Sequence, residues 1–92
     1  NNQIIFERIN SINGISMHPV EATYLAWLNV EELKLEQPQK YFERYGVGMS
    51  AGLEFGDNHY VRLNFGCQQS VLIEALNRIE KAVKARMLEL KP

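Results

Sequence analysis

The sequence predicts an α+β fold, a two-layer sandwich in which helices cover a small, mainly antiparallel, three-stranded sheet. Three observations predict it. Segments of helical and strand period follow one another in the order helix, strand, helix, short strand, strand, helix. Residues 59–65 alternate apolar and polar side chains, the signature of a strand with one buried face. Residues 68–90 then form one long amphipathic helix, able to lay an apolar stripe across such a sheet. At 92 residues the chain has room for one hydrophobic core and too little for two.

The first helix covers about residues 3–12, where Ile4, Ile5, Ile9 and Ile12 recur at helical spacing, and Asn13-Gly14 ends it. The chain opens Asn-Asn-Gln with no obvious cap, so this helix is expected to continue one that starts earlier. Residues 15–20, interrupted by Pro19, read as an edge strand or extended segment. Residues 23–30 (Thr-Tyr-Leu-Ala-Trp-Leu-Asn-Val) are apolar at both alternating positions and are expected to form a central strand buried on both faces. Residues 31–35 suit a turn of helix. Pro38 fits the first position of a second helix, with Tyr41, Phe42 and Tyr45 on one side and Gly46 at its end. Residues 47–50 are a short strand candidate, and Gly52, Gly56 and Asp57-Asn58 mark a loop. In the last helix Leu72, Ala75, Leu76, Ile79, Val83, Met87 and Leu90 make the apolar stripe. Glu74–Arg78 and Glu80–Lys84 are spaced to support it as ion pairs. Because Tyr24, Ala26 and Leu28 alternate with Leu25 and Trp27, a two-layer arrangement is expected to leave one apolar sheet face exposed, as an interface would.

Composition narrows the function. The net charge is −1 with both signs interspersed, and Arg62 is the one base on the strand candidates, so neither a nucleic-acid partner nor an RNA-binding sheet is expected. A single cysteine, Cys67, cannot form an internal disulfide, and no apolar run reaches membrane-spanning length. These features suit a cytoplasmic protein with no membrane partner. His18 and His59 have no companion at ligand spacing, so no metal site is expected. Cys67 has no cationic neighbour in sequence to favour a thiolate and suits a small buried position.

Three segments carry a likeness to a known family. Tyr60-Val61-Arg62-Leu63-Asn64-Phe65-Gly66-Cys67, followed by the amphipathic helix, resembles the C-terminal motif of fold-type I pyridoxal-phosphate enzymes, the aminotransferase superfamily. It is most similar to the cystathionine beta-lyase, or C–S lyase, branch. Pro19-Val20-Glu21-Ala22-Thr23-Tyr24-Leu25-Ala26-Trp27-Leu28-Asn29 resembles a second segment of that branch, and residues 47–56 resemble its Ser-x-Gly-x-x-Phe-Gly loop. The likeness runs in order over residues 10–85. Two departures stand out: Gln68-Gln69 replaces the family's Pro-Arg, and Ala51 stands where some members have proline.

The resemblance implies that residues 1–92 are the small C-terminal domain of such an enzyme, separated from a large domain that binds pyridoxal 5'-phosphate. It also implies an amino-acid substrate, a homodimer when intact, and no activity in the fragment. The family's carboxylate-binding arginine maps onto Arg62, and a planar guanidinium suits that task because it offers two parallel donors to a carboxylate. Tyr24 maps onto an aromatic position lining the same cleft, with a core tyrosine as the plain alternative. Asn64 lies two residues beyond Arg62 on the same strand face, and Ser50 and Gly52 belong to the loop that resembles a cleft-facing one. No cofactor-binding residue is assigned. Lys34, Lys40, Lys81, Lys84 and Lys91 are expected to face solvent, and none matches the family's Schiff-base lysine. Whether the intact protein eliminates a thiol or transfers an amino group stays open. So does a different class of function, a free-standing α+β module binding a small carboxylate or a protein.

Overall fold

The computed structural model describes residues 2–18, 25–51, 59–64 and 69–91. The chain is α+β, with antiparallel pairing between its two longer strands. Helix α1 spans Asn2–Ser11, strand β1 Leu25–Asn29, helix α2 Pro38–Glu43, strand β2 Ser50–Ala51, strand β3 Tyr60–Asn64 and helix α3 Gln69–Leu90; a single 3-10 turn, Glu31–Leu33, separates β1 from α2.

Strand β3 lies between the other two, in the order β1-β3-β2. Its register sets Trp27 opposite Arg62 and Leu28 opposite Val61 on one side, and Ser50 opposite Arg62 on the other. The expectation that residues 23–30 form a central strand buried on both faces is therefore corrected. Among the described residues, β1 has beyond it only an isolated bridge, Ser16 to Asn29. Of the two alternating sets on β1, Ala26 and Leu28 are buried, while Leu25 is half-buried and Trp27 is 40% exposed. Apolar residues at both parities do not say which face a core takes. Here the larger side chain, Trp27, went outward beside Arg62. Residues 19–24, and with them Pro19 and Tyr24, lie outside the described residues.

The inward face of the sheet carries Ala26, Leu28, Val61 and Leu63, which join Ile5, Ile9, Phe42, Leu72, Leu76, Ile79 and Val83 in one buried cluster. Of the predicted stripe on α3, Leu72, Leu76, Ile79 and Val83 are buried, together with Ala82, while Ala75, Met87 and Leu90 are half-buried. The ion pairs expected on its solvated side form at 3.0 Å (Arg78–Glu74) and 3.2 Å (Lys84–Glu80).

Local chemistry fixes the connections. Pro38 opens α2, and the helix closes with Gly46 N–H donating to the Glu43 carbonyl and Val47 N–H reaching back to Phe42. Gly46 takes the left-handed φ of 82° that this closure needs. Val47 thus belongs to the helix exit, and the strand expected over 47–50 is displaced to Ser50–Ala51. After α1, the Asn10 side chain binds both backbone groups of Met17, at 3.1 and 3.2 Å. That clamp is not legible in the sequence, and it brings Ser16 to its bridge with Asn29. Gly14 has φ 117°, and a Cβ there would stand 3.1–3.3 Å from Met87, Val83 and Leu33. Conformation and space both require glycine at this point.

Candidate functional site: the outer face of the sheet

The period of two that buries Val61 and Leu63 turns Tyr60, Arg62 and Asn64 to the other side of the sheet. Leu25, Trp27 and Asn29 of β1 share that face by register, as does Ser50 of β2. It is a mixed face: beside the exposed apolar side chains expected from β1, one guanidinium and one hydroxyl lie across the middle of the sheet. Arg62 and Ser50 are half-buried and Asn64 is exposed. Directly opposed positions on paired strands hold Cβ atoms about 5 Å apart, so Trp27, Arg62 and Ser50 form one row.

Within that row the Arg62 guanidinium donates from Nη2 to Ser50 Oγ at 3.3 Å. Arg62 was anticipated from its motif. The cross-strand hold by Ser50 was not, because loop membership does not give strand register. A half-buried guanidinium held by a neighbouring strand can present a fixed pair of donors to a carboxylate, with orientation as well as charge defined. Tyr24, Gly52 and Cys67 lie outside the described residues.

Other sequence candidates sit elsewhere. His18 and His59 are exposed, and among the described residues no cluster of three His, Cys, Asp or Glu stands close enough to hold a metal ion. Among them, too, no helix is long and apolar enough to cross a membrane. The five lysines are all exposed, on helices or the segments beside them. None has the buried, apolar surroundings that covalent lysine chemistry needs. No protein-family model matches the chain.

Over 69 residues, 72% of the chain, the sequence is 36% identical to the cystathionine beta-lyase of Corynebacterium glutamicum. The structure superposes on OvoB with a TM-score of 0.88, at 36% identity over 91% of this chain. It superposes on cystalysin from Treponema denticola, whose crystal structure contains pyridoxal 5'-phosphate, with a TM-score of 0.80 at 26% identity over 92% of the chain. The chain is a homologue of a C-terminal portion of fold-type I pyridoxal-phosphate enzymes. It spans 19% of the length of the lyase, 22% of OvoB and 23% of cystalysin. The likeness to these proteins therefore covers 72–92% of this chain and about a fifth of theirs.

Proposed function

We propose that residues 1–92 are the small C-terminal domain of a pyridoxal-phosphate-dependent C–S beta-lyase or aminotransferase, in which Arg62 anchors the α-carboxylate of an amino-acid substrate. The observation that carries this reading is the placement of Arg62. It stands on the middle strand, on the face turned away from the core, within a chain homologous to such enzymes. A structural arginine covering apolar surface needs no partner on the next strand; this one is bonded to Ser50 across the sheet. The reading includes the three-stranded, two-layer sandwich of that family's small domain, a cytoplasmic setting and a homodimer of the intact protein.

The described residues do not fit the cofactor itself. It needs a lysine in a desolvated pocket, and every lysine here is in contact with water. The cofactor is accordingly assigned to the large domain, and this chain contributes binding and orientation of the substrate. A carboxylate fixed by two donors loses rotational freedom, which holds the reacting carbon in one place for chemistry supplied elsewhere.

The test is a visible absorption spectrum of the product of the complete reading frame around this segment. A longer, yellow product whose visible band is bleached by borohydride is the expected result. A colourless product indifferent to added pyridoxal phosphate would reject the proposal and favour a free-standing binding module.

A further inference from the structure

We propose that Ser50 is the second element of the carboxylate site: it positions the Arg62 guanidinium and supplies a third donor, its own O–H, to the bound carboxylate. This deepens, and rests on, the reading of Arg62 as the carboxylate anchor.

Ser50 and Arg62 are directly paired residues of β2 and β3, so their side chains leave the sheet on the same face. Ser50 Oγ accepts a hydrogen bond from Arg62 Nη2 at 3.3 Å, between two half-buried side chains. A hydroxyl that accepts in this way still carries one proton to donate. Among the described residues, no acceptor takes that proton. An arginine side chain has four rotatable bonds before its planar fork, and a hydrogen bond to one Nη fixes the rotation of that plane. A carboxylate docking against the guanidinium then meets a fork already turned toward it, beside a serine O–H that can donate to one of its oxygens. Trp27 stands opposite Arg62 on the other neighbouring strand, so position 62 has a serine across from it on one side and a tryptophan on the other.

The ligand class follows from the donor set. The planar fork of Arg62, joined by the Ser50 hydroxyl beside it, suits a planar carboxylate.

The full-length protein, labelled with 15N at arginine, is titrated with propionate, a probe that carries the recognised group and nothing else. Arg62 signals are identified by their loss in Arg62→Ala. In Ser50→Ala the Arg62 Nη signals should show faster rotation about the Nε–Cζ bond, and propionate should bind about three- to tenfold more weakly, the range expected for one hydrogen bond. Ser50→Thr keeps the hydroxyl on a residue that suits a strand, and should restore both readouts. Unchanged rotation and binding in Ser50→Ala, with binding lost in Arg62→Ala, overturns the role of Ser50 and leaves the Arg62 anchor standing. Equal weakening in Ser50→Ala and Ser50→Thr also overturns it, because the hydroxyl is then not the agent. Propionate binding that is absent from the unaltered protein, or unaltered in Arg62→Ala, removes the anchor itself.

Discussion

At Arg62 the difference between arginine and lysine should be measurable as binding chemistry. Lysine keeps the positive charge but replaces a planar fork with a point charge, so a bidentate carboxylate contact cannot be rebuilt. Arg62→Lys in the intact protein is expected to lower kcat/KM for the proposed amino-acid substrate by about tenfold to a hundredfold, equivalent to the ~1.5–3 kcal/mol of a charge-assisted hydrogen bond. Steady-state kinetics beside a circular dichroism spectrum would check it, and unaltered kinetics would remove Arg62 from the site. Arg62 was legible because a run of neighbouring residues, Tyr60-Val61-Arg62-Leu63-Asn64, carries its motif and its strand alternation together. Ser50 was legible only as a loop residue. Its bond to Arg62 depends on how residues twelve apart align, and nothing local in the sequence encodes that register.

Elements are joined here by polar contacts that reach between segments far apart in sequence. Arg86 of α3 donates to the carbonyls of Leu33 (2.8 Å) and Lys34 (3.0 Å), closing the end of the 3-10 turn where Lys34 takes a left-handed φ of 51°. Leu33 is fully buried, so removing the guanidinium takes the side-chain donor from a carbonyl beside the core. Arg86→Met, which keeps much of the apolar stem, should cost about 1–3 kcal/mol in urea denaturation. Tyr41 of α2 ties to the same helix through its O–H, which donates to the Ala82 carbonyl at 2.7 Å. Burial, and then the hydrogen bond and charge of neighbouring Tyr45, hold the Tyr41 phenol well above the ordinary tyrosine pKa. The sign follows from the protonated form being favoured in the folded chain. Its stabilisation is complete below the unfolded pKa of about 10 and is lost as pH rises from there toward the folded value. Stability measured from neutral pH to about pH 11 should therefore fall more steeply for the natural chain than for Tyr41→Phe. Equal slopes would mean that the phenol does not hold α2 to α3. The helices themselves were legible from Pro38, Gly46 and the α3 stripe; these tethers were not, since each joins side chains to backbone carbonyls more than forty residues away in sequence.

Across the whole molecule, the two faces of one short strand divide the core from the proposed binding site. Val61 and Arg62 are consecutive residues of β3, yet Val61 is fully buried and Arg62 lies on the outer face. The alternation was legible in the sequence; which apolar residues of β1 would follow it inward was not, because Leu25 and Trp27 are as hydrophobic as the residues that did. A period of two makes the division sharp, because neighbouring side chains cannot share a face. Val61→Ala removes two methyl groups from a close-packed cluster that includes Leu28, Leu63, Leu76 and Ile79, and should cost about 2 kcal/mol. For a chain of this size that is a large share of the ~5–10 kcal/mol that separates folded from unfolded. Arg62→Ala removes a half-buried side chain and one cross-strand hydrogen bond, so it should cost about 1 kcal/mol or less. Carboxylate affinity should move the other way, nearly intact in Val61→Ala and lost in Arg62→Ala. Paired denaturation curves and propionate titrations on the two variants decide the matter. If Arg62→Ala unfolded the chain as readily as Val61→Ala, the outer face would be a second core surface, and the assignment of a ligand to it would fail.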